Sequence, residues 1–349
     1  MNRREFFLLV AISLAVLFIA GLCGIIFTCS KGKKSVEQIE EPVVIEEDED
    51  EEPLSEETEE NNQVNLSYQT QRPLSSLSGL SRLRGMGVFV SEIDPVNYQN
   101  PDINVLRQMG VDQYLISYFT GEQYYRNADY DRAIAEYTAS INRSVDFLEA
   151  FISRGNAWLR KREYSRAIED YTRAIRINST KAEVYNYRGF ARAERGEMTL
   201  AIEDYSRAIS LNRNYVDALI NRSHSLYQTG NYRRVIEDCN LIISLEPSNA
   251  VIWSRRGSAW YRLEDDDKAI SDFTEAIRLR GDYAVAWYSR GNAWYNKREY
   301  DRALADLNRC LAINPSFAAA YTSRGNIFRI LGNNASADAD FATAQRLQR

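Results

Sequence analysis

Six arginines and six aspartates recur through the last two thirds of this chain at one fixed interval. Arg154, Arg188, Arg222, Arg256, Arg290 and Arg324 stand 34 residues apart, and so do Asp170, Asp204, Asp238, Asp272, Asp306 and Asp340. Each aspartate follows its arginine by 16 residues, so the two can pair once per interval. A guanidinium and a carboxylate bond bidentately, and removing one partner of a half-buried pair strands a charge, so the pairs read as structural. The competing reading aims the arginines at an anionic ligand. Acid–base and nucleophilic chemistry find little else here. His224 is the only histidine and has no metal or triad partner, so it reads as a contact residue. Cys239 and Cys310 lack metal-ligand spacing and read as small buried hydrophobes. Glu264, Asp265, Asp266 and Asp267 imitate a metal loop, but acids at a helix start are better explained by capping and the helix dipole. No phosphate loop, nucleophile elbow or carboxylate dyad stands out. The expectation is therefore no enzymatic activity, no cofactor and no metal.

The elements that position these residues follow from the same interval. A small residue sits just after each arginine, at Gly155, Gly189, Ser223, Gly257, Gly291 and Gly325, with Gly121 upstream. Twelve residues later come Ala133, Ala167, Ala201, Val235, Ala269, Ala303 and Ala337. Seven copies in register define an array of 34-residue units, 114–147, 148–181, 182–215, 216–249, 250–283, 284–317 and 318–349. In the second unit Phe151, Gly155 and Trp158 share one helical face, and Ala167, Tyr171 and Ala174 share another. The four residues from Lys161 to Tyr164 leave no room for a third element, so the helices run antiparallel. Neither helix hides its apolar stripe alone, so the units must stack.

A bulky residue, Gly, an aromatic, Ala, an aromatic and Ala at these positions resemble the tetratricopeptide repeat (TPR). The resemblance covers residues 114–349 and implies an all-α, right-handed superhelix, an α-solenoid whose inner groove is lined by the first helix of each unit. Four departures stand out: Arg192 and Cys239 at aromatic positions, Ser117 at a bulky one and Cys310 at an Ala. The five tryptophans all fall on core positions of the pattern.

By the family's geometry the groove carries Asn156, Phe190, His224, Asn292 and Asn326, with Glu122 and Ser258 at the same position. Tyr118, Tyr125, Tyr187, Tyr227, Tyr261, Tyr288 and Tyr295 add an aromatic lining, and Arg255 adds charge together with Arg126, Arg160, Arg262 and Arg329. These positions differ from copy to copy, as recognition requires. Asparagine amides can pair with a peptide backbone, and Tyr and Arg supply contact area. One TPR subtype holds a terminal carboxylate between lysines and asparagines. Here Tyr118, Ile152, Asn186, Ile220, Ser254, Tyr288 and Thr322 stand where lysine is needed, so chaperone-tail binding of that kind is not expected.

The rest of the chain is unlike the array. Residues 6–28, from Phe6 to Thr28, carry no charge and are long enough to span about 34 Å as a helix, which makes residues 1–30 a transmembrane anchor. Lipid modification at Cys23 or Cys29 is the alternative, although Leu22 and Thr28 precede them where small residues are preferred. Residues 31–113 form a linker, largely disordered. Its first part, 35–60, holds fourteen carboxylates and no Lys or Arg, too acidic and too poor in aromatics to fold. It is a solubilising spacer or a pseudo-ligand for the groove. Residues 87–90 suggest a short strand, and residues 102–109 a short helix ended by Gly110 on the open end of the first unit. The net charge of −6 comes from the acidic run, and the array itself is only mildly basic, which argues against nucleic acid. The whole reads as a membrane-tethered, single-pass scaffold for proteins or peptides in a bacterial envelope, its repeats on the periplasmic rather than the cytoplasmic side. The alternative is an envelope lipoprotein or a glycan- or peptide-binding adaptor. The last unit lacks a covering helix, so Phe341, Ala344 and Leu347 offer a surface for self-association.

Overall fold

The computed structural model describes residues 103–348, and every regular element among them is an α-helix. The apolar run at 6–28, the acidic run at 35–60 and the strand expected at 87–90 lie outside the described residues. No helix among the described residues is long and apolar enough to cross a membrane. A short helix, α1 (Ile103–Gln108), packs on the first unit through buried Leu106, and Gly110 at φ +69° ends it.

Seven helical hairpins follow. Their first helices are α2 (Gln113–Arg126), α4 (Leu148–Arg160), α6 (Ala182–Glu194), α8 (Val216–Gln228), α10 (Ala250–Arg262), α12 (Ala284–Asn296) and α14 (Ala318–Ile330). Their second helices are α3 (Tyr130–Arg143), α5 (Tyr164–Ile177), α7 (Met198–Leu211), α9 (Tyr232–Leu245), α11 (Asp266–Leu279), α13 (Tyr300–Ile313) and α15 (Asn334–Leu347). Each first helix packs against its own second helix and against the second helix of the unit before. Successive first helices also lie against one another.

The turn inside each hairpin needs one residue with positive φ, and the sequence supplies Gly only three times. Gly196, Gly230 and Gly332 take that position without strain, while Ala128, Arg162, Glu264 and Arg298 adopt φ of 58–61° there at a steric cost. Asp129, Asp265 and Asn333 then cap the second helices, each accepting a backbone N–H at 3.2 Å. The acidic cluster is thereby explained. Glu264 occupies the turn, Asp265 caps α11 and pairs with Lys268, Asp266 accepts from Asn296 and Asp267 pairs with Lys297.

In five units the small residue of the first helix is required by the ring above it, whereas Gly291 faces Leu307. A Cβ on Gly155 would lie 2.7 Å from the Tyr171 ring, and Gly121 and Gly189 meet Tyr137 and Tyr205 at the same distance. The fourth unit breaks both rules at once. Cys239 replaces the tyrosine, and its smaller volume leaves room for the Ser223 side chain, whose hydroxyl donates to the Ile220 carbonyl at 2.8 Å. The alanine twelve residues after each small residue, or Val235 in its place, is fully buried throughout. The apolar interior is nevertheless divided: one cluster runs from Leu106 to Ala191, a second from Ala182 to Ala259 and a third from Ala276 to Ile327.

Candidate functional site

The charged pairs are built identically in six units. Nε and Nη2 of Arg154, Arg188, Arg222, Arg256, Arg290 and Arg324 donate to the two carboxylate oxygens of the aspartate 16 residues on, at 2.6–2.9 Å. Nη1 reaches back to the preceding unit, to Thr138, Thr172, Ser206, Asn240, Thr274 or Asn308, at 2.6–3.2 Å. Each arginine thus ties two units together, with three of its five N–H groups used inside the array. Arg192, the departure from the aromatic pattern, gives Asp204 a second ion pair at 2.8 Å. Burial pushes the Asp170 and Asp238 carboxyls up, against the pull of Arg154 and Arg222, so these pairs are held in place at a desolvation cost.

The tryptophans are half-buried and their faces are covered by cations. Arg166 stacks on Trp158, Arg256 on Trp253, Lys268 on Trp260, Arg290 on Trp287 and Arg302 on Trp294, all at 4.2–4.9 Å.

The residues expected in the groove divide into two sets. Tyr118, Tyr187, Phe190 and Arg255 are buried. Tyr118 packs edge-on against Phe147 at 5.1 Å, and burial raises its hydroxyl well above the usual phenol range. Tyr125, Asn156, His224, Tyr227, Tyr261, Tyr288, Asn292, Tyr295 and Asn326 are partly exposed on the first helices. Some of them also serve the interior. The Asn156 amide oxygen accepts from Tyr171 at 2.7 Å, and Glu122 accepts from Tyr137 at 2.7 Å. Near the end of the first helix, tyrosines recur against the tyrosine opening the second: Tyr125 with Tyr130, Tyr227 with Tyr232 and Tyr295 with Tyr300, at 5.2–5.9 Å. Arg126, Arg262 and Arg329 are exposed. Ala344 is buried and Arg329 covers the Phe341 ring at 4.5 Å, leaving Leu347, Ile330 and Leu331 exposed on the last hairpin.

A buried polar seam crosses the third, fourth and fifth units, and the groove assignment missed its connectivity. Asn221 donates to Asn186 at 3.0 Å, both being buried. One unit on, Arg255 Nη1 donates to the Ile220 carbonyl at 3.1 Å and to Ser223 Oγ at 3.0 Å. His224, beside this arginine, has its pKa lowered to about 3, first by burial and then by the Arg255 charge. Cys239 lies below, its thiol pushed up to about 12 by burial, and is therefore unreactive. The signal was present in the sequence as one polar residue in each of three consecutive units, Asn186, Asn221 and Arg255, 35 and 34 residues apart. No group of three metal-ligating side chains occurs among the described residues.

Comparison with known proteins agrees with this geometry. Residues 120–182 and 284–317 each match a family model described as tetratricopeptide repeat. No curated protein matches. Among solved structures, the C-terminal part of a TPR repeat-containing protein from Cytophaga hutchinsonii is 17% identical with a TM-score of 0.56, over 66% of this chain and 95% of that one. MamA is 25% identical with a TM-score of 0.43, over 46% of this chain and 94% of that one. YrrB, described as a TPR protein with an unusual peptide-binding site, is 18% identical with a TM-score of 0.49, over 53% and 95%.

Proposed function

From the premise that this is a tetratricopeptide-repeat protein, we propose that it is a scaffold that binds proteins or extended peptides along the first helices of its units. The observation that carries this reading is the contrast between a fixed frame and a varied face. The Arg–Asp pairs repeat without change in six units, while Asn156, Phe190, His224, Ser258, Asn292 and Asn326 occupy one repeating position with four residue types. Partly exposed Tyr261, Tyr288 and Tyr295 lie on the first helices of two neighbouring units and supply aromatic contact area. A glycan-binding role is the second reading, favoured only by these tyrosines. Capturing partners with the full chain and with a Tyr261→Ala, Tyr295→Ala variant tests it. Loss of a protein partner at unchanged thermal stability supports the reading. Retention of every partner would refute it, and loss of glycan alone would favour the alternative.

The scaffold is tethered in this proposal by the uncharged residues 6–28, with the acidic residues 35–60 as a spacer. A bacterial envelope, with the array outside the cytoplasm, is the setting that fits. Extraction at alkaline pH tests the tether: release into the supernatant would exclude a spanning helix. A topology reporter after Arg349 tests the side. Exposed Leu347, Ile330 and Leu331 further suggest contact between copies, which sedimentation at rising concentration would detect or exclude.

A further inference from the structure

One unit of the array differs from the rest on its second helix. Arg162 in the turn and Arg166, Arg173 and Arg176 on α5 are all exposed. No other unit has a basic residue at all four of these repeat positions. The first, third, fourth and seventh units have one each, and the sixth has three. The fifth has Lys268 and Arg278, which are already paired with Asp265 and Glu275. The second unit as a whole holds eight basic and four acidic residues, and in no other does the basic excess pass two.

These four arginines are not consumed by the frame. Arg162, Arg166 and Arg176 make no ion pair among the described residues. The Arg166 guanidinium sits over the Trp158 ring at 4.6 Å, which holds the group in place while its N–H donors keep their capacity for a carboxylate. Arg173 reaches Asp146 only at 3.7 Å, with both side chains well exposed. Glu163 and Glu169 are the exposed acids on this stretch, so a positive excess remains along it.

The chain carries a counterpart of opposite sign. Residues 50–60 hold seven acids and no Lys or Arg. Eleven extended residues cover about 36 Å, and the 14 residues of α5 about 21 Å, so the segment can follow the helix from end to end. Forty-two residues separate Glu60 from Ile103, where α1 begins, and α1 packs on the first unit, beside the second. A coil of that length averages about 35 Å end to end, which brings α5 within reach. Exposed ion pairs are individually weak, but attachment within one chain sets an effective concentration of order millimolar, at which several weak pairs act together.

We propose that residues 50–60 dock, within the same chain, along α5 through Arg162, Arg166, Arg173 and Arg176. The surface lies on a second helix, so the docked segment leaves the first helices open to a partner. The inference goes beyond the scaffold reading and does not depend on it. Because the pairs are exposed, the contact is fastened at low ionic strength and released as salt screens it.

A photoreactive residue in place of Leu54, between the acids of this segment, tests the contact in the full chain held in neutral detergent. Adducts mapped by mass spectrometry should concentrate on residues 160–181 at low salt and fall at least tenfold in 1 M salt. Arg162→Gln, Arg166→Gln, Arg173→Gln and Arg176→Gln together should cause the same fall. Exchanging the seven acids of residues 50–60 for Asn or Gln leaves the array untouched and should do so too. Arg298→Gln, Arg302→Gln and Arg309→Gln on the sixth unit should leave the adducts unchanged. Mixing isotope-labelled and unlabelled chains should give adducts within one chain. Adducts spread evenly over the units, adducts that persist after the acids are removed, or adducts formed only between chains would overturn the proposal. The scaffold reading would survive that result if partner capture still depended on Tyr261 and Tyr295.

Discussion

Arg154 and Arg255 are the same residue type in adjacent helical positions of their units, and the structure uses them in opposite ways. Arg154 faces its own second helix, where Asp170 fills its fork and Thr138 takes the remaining nitrogen. Arg255, one helical step round, faces the neighbouring first helix, where it finds a carbonyl and a hydroxyl. The difference is where each position points. The first direction recurs in every unit, so its partner repeats and the pair becomes part of the frame. The second meets a face whose residues vary, so its chemistry is local to one junction.

Breaking the frame should cost more than breaking the seam. Asp204 anchors both Arg188 and Arg192 through a side chain that is 4% exposed. Asp204→Ala should therefore destabilise the chain by about 3–5 kcal/mol, because two guanidinium groups lose their anion. Arg255→Met, which removes a buried charge from the seam without stranding another, should be close to neutral. Chemical denaturation of both variants checks the contrast; equal losses would mean that the seam is as much a part of the frame as the pairs are.

The glycine–ring contact sharpens the comparison at the next level. Gly155→Ala places a Cβ 2.7 Å from the Tyr171 ring and should cost about 1–3 kcal/mol. Adding Tyr171→Cys should relieve that clash, because the fourth unit already combines Ser223 with Cys239. A double variant no better than the sum of its parts would show that the fourth unit accommodates Ser223 by some other means.

Acid should act on the seam before the frame. The His224 pKa is lowered from 6.5 to about 3, so below pH 6.5 the unfolded chain binds a proton that the folded chain refuses. Stability should fall as pH drops through the window from about 6.5 towards about 3, and His224→Gln should remove that part of the slope. Thermal melts of both proteins across the window provide the check; parallel pH curves would place His224 in an ordinary solvated environment. The smallest effect belongs to the turns. Arg162→Gly or Glu264→Gly should gain up to about 1 kcal/mol by relieving positive φ, whereas Gly196→Ala should lose a similar amount.

The frame was legible because each of its residues repeats. A 34-residue interval reveals the helical hairpins, the small residue, the buried alanine and the Arg–Asp pairs without any knowledge of distances. The interval also carried Thr138, Thr172, Ser206, Asn240, Thr274 and Asn308, which hold the third arginine nitrogen, but their changing chemistry concealed a common role. The first-helix face was less legible. Assigning Tyr118, Tyr187, Phe190 and Arg255 to a groove treats a helix position as exposed wherever it recurs, but exposure depends on the size of the residues that the next unit lays over it. Tyr118 is covered by Phe147, and Arg255 is enclosed against Ile220 and Ser223.

The proposed function divides the labour of the array, with first helices recognising a partner and second helices supporting them. A photoreactive residue placed at Asn292 on α12, and in a second protein at exposed Ser271 on α11, reads that division directly in the full chain. Adducts with a protein partner should form from position 292 and not from position 271. Adducts from 271 alone would contradict it.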